Sequence, residues 1–156
     1  MSAPILLVSI IVSTLIAYEG DVTVVMDVSG SMSGEKIDQA KRALQQLLGS
    51  LGEEDRFRIA AFSSAVRPWQ DSWTRAARAE IADARGWVDD LRADGGTNIH
   101  DALEFAFSDP SPRDRLPIVV FLTDGLPTNG ETKPDRIVAM AESARGRARV
   151  FAFGVG

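Results

Sequence analysis

The sequence predicts an α/β fold, a doubly wound and mainly parallel sheet with helices on both faces. Three observations carry that expectation. Apolar runs of strand length alternate along the chain with amphipathic stretches of helical period. One run, Pro117 to Leu122 (PIVVFL), is continuously apolar, as a central parallel strand covered on both faces must be. No internal repeat or low-complexity linker interrupts the 156 residues, which amount to about one domain.

Residues 1–20 stand apart from the domain expected over 21–156. Ala3 to Ala17 (APILLVSIIVSTLIA) carries no charge but is shorter than the roughly 20 residues that span a bilayer. No Lys or Arg precedes it, and Leu15-Ile16-Ala17 is a poor cleavage site. Its β-branched content also suits a buried strand. Two readings therefore stand, a secretion or anchor segment and a strand left from an upstream domain. The first implies export or membrane association through residues 3–17, and the second a cytoplasmic protein.

Asp21 to Val28 (DVTVVMDV) reads as a buried strand. Glu35 to Leu51 reads as a helix with Ile37, Ala40, Leu44, Leu47, Leu48 and Leu51 on one face. Arg56 to Phe62 (RFRIAAF) is a second strand, and Ala65 to Trp69 a short edge strand ended by Pro68. Thr74 to Leu91 reads as a helix whose inner stripe is Ala77, Ile81, Ala84, Val88 and Leu91, with mixed charges on a solvated face. Asn98 to Phe107 is a short third helix. Pro134 to Arg145 is a fourth, with Pro near its start. Val150 to Val155 is the last strand, and the chain stops there, so a covering helix is expected to be missing. Trp69, Trp73 and Trp87 read as packing residues, the first two in a loop.

Composition removes several kinds of function. The net charge of −5 disfavours binding nucleic acid through its phosphates. Cysteine is absent, which excludes disulfides, thiolate metal sites and cysteine nucleophiles. A single histidine, His100, excludes a histidine-rich zinc site. Any metal must be held by oxygen.

In an open parallel sheet, ligands bind beyond the carboxyl ends of the strands, where the strand order reverses. The turns there carry Asp27-Val28-Ser29-Gly30-Ser31, Gly95-Gly96-Thr97-Asn98 and Thr123-Asp124-Gly125. Taken singly, each is an ordinary turn or cap sequence. Together they offer three hydroxyls (Ser29, Ser31, Thr97) and two carboxylates (Asp27, Asp124), with no apolar side chain to fill the crevice. That donor set suits a hard cation such as Mg²⁺, which takes about six oxygens at ~2.1 Å. Neutral hydroxyls coordinate without cancelling charge, so the ion stays under-neutralised. A carboxylate from another molecule is then the natural sixth ligand.

These residues resemble the metal-ion-dependent adhesion site of von Willebrand factor type A domains. Ser29-Gly30-Ser31-Met32, Gly34-Glu35-Lys36, Asp55-Arg56-Phe57, Ala61-Phe62-Ser63, Gly95 to Ile99 and Phe121 to Gly125 resemble the branch found in inter-alpha-trypsin inhibitor heavy chains and their bacterial relatives. The resemblance implies that Ser29, Ser31 and Thr97 contact the metal, with Asp27 and Asp124 binding directly or through water. It implies Mg²⁺, or Mn²⁺ or Ca²⁺, and a protein partner presenting Asp or Glu. It also implies the strand order 3-2-1-4-5-(6) with a short antiparallel edge. The family's domain continues through a further helix and strand that this sequence lacks. Relatives in the branch often carry an upstream vault/inter-alpha-trypsin-type β-domain, of which Met1 to Ala17 is at most a remnant.

Catalysis is not expected. Gly30 to Ile37 (GSMSGEKI) has the wrong spacing for a phosphate-binding loop. An aspartyl-phosphate enzyme using Asp27 needs a general acid where Ser29 stands. A serine triad would have to use His100, read as an exposed first-turn residue, and no nucleophile elbow is present. Asp101 reads as a dipole-compensating carboxylate, with a place on the metal rim as its other reading. Two alternative functions are a Mg²⁺-dependent phosphoryl hydrolase and a structural subunit of a larger, ATPase-linked assembly.

Overall fold

The computed structural model of the chain describes residues 19–125, 128 and 130–156. The readings of the apolar stretch at 3–17 fall outside the described residues. Strand β1 (Gly20–Asp27) is followed by a 3-10 turn (Gly30–Met32) and helix α1 (Glu35–Ser50). Then come β2 (Arg56–Phe62), β3 (Val66–Pro68), β4 (Thr74–Arg75), α2 (Arg78–Asp89) and α3 (Ile99–Phe107). Strand β5 (Leu116–Thr123), α4 (Pro134–Ala144) and β6 (Arg149–Gly154) complete the described elements.

The sheet runs β3-β2-β1-β5-β6, with β4 also paired to β2. Strand β1 is parallel to β2 on one side and to β5 on the other, in a register that sets Asp27 beside Phe62 and Met26 beside Leu122. Strands β5 and β6 are parallel, while β3 and β4 run antiparallel to β2. The expected strand order and antiparallel edge are thus observed. The chain leaves β1 toward β2 and returns on its far side as β5, so the order reverses between β1 and β5.

All eight residues of β1 are buried. Val22, Val24 and Met26 face a core completed by Leu44, Leu47 and Leu48 of α1 and Ala84 and Val88 of α2. Val25 faces the opposite core with Phe62, Val119 and Phe121, covered by Ala102, Leu103 and Ala106 of α3 and by Ile137 and Met140 of α4. The period-two alternation therefore serves two layers of helices at once. Each fully buried Leu or Val contributes roughly 1.5–3 kcal/mol.

One expected boundary is corrected. The helix read over Thr74 to Leu91 starts at Arg78, because Thr74 and Arg75 pair with Phe57 and Arg56 as β4. The Ala76 N–H then donates to the Asp55 carbonyl at 2.9 Å, with the Ala76 side chain buried. Of the expected stripe, Ala84, Val88 and Leu91 are buried, and Ala77 and Ile81 only half-buried. The tryptophans pack as read. Trp69 stacks on Phe57 with ring centres 5.4 Å apart, Trp87 joins the α1/α2 core, and Trp73 lies against the Arg56 and Arg58 guanidinium groups.

The amino-terminal end of β1 holds a buried carboxylate. Asp21 accepts hydrogen bonds from Arg56 Nε (2.8 Å), from Arg115 Nε and from the Ser111 hydroxyl. Burial alone would raise its carboxyl, but these donors outweigh that and hold it below the ordinary carboxylate range. Because the folded pKa is depressed, the stabilisation is complete above the unfolded value of about 3.9 and is lost as pH falls through the folded value. Asp21→Asn should therefore cost on the order of 3 kcal/mol at pH 7. Urea unfolding repeated at successively lower pH, from 5 downward, should show the gap between wild type and variant closing.

Candidate metal centre

The carboxyl ends of β1 and β5 bring the oxygen-bearing turns together. Asp27, the last residue of β1, is fully buried. Its Oδ1 accepts the Ser29 N–H at 2.8 Å, and its Oδ2 accepts the Thr123 hydroxyl at 2.7 Å. The carboxylate thus folds its own turn inward and ties β1 to the end of β5. The Thr123 hydroxyl also accepts the Gly125 N–H at 3.3 Å, which fixes the start of the turn carrying Asp124.

Ser29, Ser31 and Asp124 form a continuous line of oxygens. The Ser29 and Ser31 hydroxyls are 3.1 Å apart, and Ser31 Oγ donates to Asp124 Oδ1 at 3.0 Å across a separation of 93 residues. Ser29 is buried and Ser31 exposed, so the line runs from the interior to the surface. The Asp124 side chain is only 2% exposed. Its second oxygen accepts a hydrogen bond from Lys36 Nζ at 2.6 Å.

Thr97 is buried on the third turn. Its N–H donates to the Thr128 hydroxyl at 2.8 Å, and its carbonyl accepts the Thr128 N–H at 2.9 Å. Two residues earlier, the Gly95 carbonyl accepts the Gly30 N–H at 2.9 Å, and the Asp94 N–H donates to the Val28 carbonyl at 2.8 Å. Gly95 has φ 79°, a left-handed conformation that glycine adopts without penalty. The turn of Thr97 is therefore fastened to the turn of Ser29 by the main chain. Among the described residues, no hydrogen bond joins the Thr97 hydroxyl to the other four side chains.

The structure thus connects Asp27, Ser29, Ser31 and Asp124 through a few hydrogen bonds and sets the Thr97 turn against them. Every side-chain donor in the set is a hard oxygen, and a cation, the Lys36 ammonium, already lies against Asp124. Both observations fit a hard metal ion.

The rim residues have structural partners. Asn98 caps α3, accepting the Asp101 N–H at 3.2 Å and donating to Asp101 Oδ2 at 2.9 Å. His100 is half-buried and lies 3.5 Å from Glu104 at i+4, rather than standing fully exposed. His100, Asp101 and Glu104 bring ligand atoms within 4.8 Å of one another, a proximity that the cap and the i,i+4 pair account for. Three neighbours were not read as site residues. Thr123 was visible as the residue before Asp124 on a strand that must end beside Asp27. Lys36 stands in the sequence as a misplaced phosphate-loop lysine and as part of the Gly34-Glu35-Lys36 segment of the family resemblance, with no sign that it reaches Asp124. Thr128 has no signal, since its role depends on the path of the turn after β5.

A parallel sheet that reverses order beside two acidic, hydroxyl-rich turns defines the class, and comparison with known proteins gives the family. The sequence profile of the von Willebrand factor type A domain matches residues 20–156, and the chain belongs to that family. It is 37% identical over 145 residues to human inter-alpha-trypsin inhibitor heavy chain H4, covering 87% of this chain and 16% of that protein. Rat heavy chain H3 is 35% identical over the same shares. The chain thus spans about one sixth of the curated relatives it matches. Among solved structures, a von Willebrand factor type A protein from Catenulispora acidiphila superposes with TM-score 0.75 and 26% identity, over 89% of this chain and 34% of that one. Proximal thread matrix protein 1 of the mussel byssus, in a form with a zinc-occupied MIDAS motif, superposes with TM-score 0.67 and 23% identity, over 89% and 36%. At that identity the likeness speaks for the fold alone.

The Thr123 hydroxyl is the donor to one oxygen of a fully buried carboxylate. Thr123→Val should destabilise the metal-free protein by about 1–3 kcal/mol. Thr123→Ser, which keeps the donor, should retain most of that stability, as judged by urea midpoints in EDTA.

Proposed function

We propose that the chain is a divalent-cation-dependent protein-binding module. Ser29, Ser31 and Thr97 supply neutral oxygens, and Asp27 and Asp124 the negative charge. The ion is Mg²⁺ or, in its place, Mn²⁺ or Ca²⁺. When bound, it supplies a Lewis-acidic position for an Asp or Glu side chain of the partner. The observation that carries the reading is the line Ser29–Ser31–Asp124, which joins two turns 93 residues apart in sequence at the reversal of the sheet.

The protein's own residues divide the work. Asp27 has both oxygens engaged by Ser29 N–H and Thr123 Oγ, so it holds the turn in shape and lends charge from beneath. Ser31 is exposed and stands at the mouth, where a partner's carboxylate would arrive. Family membership supports an interaction module, and the zinc-occupied MIDAS motif of the byssus protein is in keeping with a cation site on this fold. The donor set favours a harder ion than zinc here, because nitrogen and sulfur ligands are absent from it.

Thermal unfolding with Mg²⁺ or Mn²⁺ against EDTA tests the reading. At 100 times Kd the cation should stabilise the protein by about 2.7 kcal/mol, and Asp27→Ala should abolish the gain. A Tm that ignores every divalent cation would remove the proposal. Phosphomonoester turnover lost in Asp27→Asn would replace it with a hydrolase.

A further inference from the structure

We propose that Lys36 is a built-in competitor for the cation site, an ammonium that occupies Asp124 until a divalent ion displaces it and so sets how tightly that ion binds. This rests on the reading of Asp124 as a metal ligand. Lys36 sits in the first turn of α1, just after Gly34, whose φ of 81° lets the chain turn from the Gly30–Met32 segment into the helix. That turn delivers the lysine to the cluster on the same stretch of chain that carries Ser29 and Ser31. Nζ lies 2.6 Å from Asp124 Oδ2, while Oδ1 of the same carboxylate takes the Ser31 hydroxyl. Both oxygens of Asp124 are therefore engaged, and the ammonium is the partner that carries charge.

The two members of the pair differ in freedom. The Asp124 side chain is 2% exposed and the Lys36 side chain 41%. The carboxylate is held in place, whereas the lysine reaches it with much of its side chain exposed. A first-turn position also sets Lys36 at the positive end of the α1 dipole, where a cation is disfavoured. Asp124 is thus what keeps the ammonium there. An incoming dication would take the same carboxylate and repel the ammonium at contact distance, so the lysine must withdraw into solvent as the ion binds.

The competition gives a sign reversal that a fixed structural ion pair would not. In EDTA, Lys36→Met leaves a nearly buried carboxylate without its cation, and Tm should fall. In saturating Mg²⁺ the ion replaces that cation, and the variant should match or exceed wild type. By calorimetric titration of the full chain with MgCl₂, Lys36→Met should bind about tenfold or more tightly, the scale on which a charge within 4–6 Å alters a carboxylate's affinity for a proton. Lys36→Arg, which keeps the charge, should bind as wild type does. Lys41→Met controls for net charge, since Lys41 donates to the Asp89 carbonyl on the flank of α1, and its Kd should move far less. An unchanged Kd in Lys36→Met, or an equal Tm loss with and without Mg²⁺, would overturn the competition while leaving the metal site intact. Absence of Mg²⁺ and Mn²⁺ binding in wild type and in every variant would instead bring down the metal reading, and this proposal with it.

Discussion

The structure depends on β1 being the strand that water does not reach. It is hydrogen-bonded in parallel on both sides and covered on both faces, so neither its backbone nor its side chains have solvent to fall back on. A strand so placed carries no charge in its interior, where Thr23 is the one polar side chain, and charge is confined to its ends. The two carboxylates of β1, Asp21 and Asp27, stand at those ends.

They are treated in opposite ways. Asp21 meets two arginines and a hydroxyl, permanent partners that neutralise it. Asp27 meets only an amide and a threonine hydroxyl, donors that orient a carboxylate without cancelling its charge. The sheet is therefore electrostatically closed at one pole and left negative at the other. On the negative pole a further carboxylate, Asp124, is nearly buried, and among the described residues the half-exposed Lys36 is the cation paired with it. On the proposed reading, two buried carboxylates and the hydroxyls of Ser29 and Ser31 beside the Lys36 ammonium would make this the end of the domain that receives positive charge from outside.

How much of this was legible in the sequence follows from what each element depends on. Strands β1, β2 and β5 and helix α1 were readable because burial on two faces, or on one helical stripe, imposes its own period on the residues. The start of α2 was not, because Thr74 and Arg75 are recruited by the backbone of β2, a tertiary hydrogen bond that leaves no mark on local pattern. Asp27, Ser29, Ser31 and Asp124 could be placed near one another because they end or follow β1 and β5, where register fixes their neighbours, whereas Thr97 lies in the turn before α3. Lys36 and Thr128 escaped for the converse reason. Each reaches the cluster through the course of a turn, and a turn's path is set by the φ of a residue such as Gly34 and by contacts far along the chain.

The three turns are not independent flaps. Val28 is bonded to Asp94, Gly30 to Gly95, Asn98 to Ser63 at the end of β2, and Thr97 to Thr128 beyond β5, all through the main chain. A tensile load entering at this pole from a tethered molecule would be divided among the ends of β1, β2 and β5 at once. No single turn would peel away alone, and failure would require several backbone bonds to shear together. The lacing that shapes the three turns also makes them one mechanical unit.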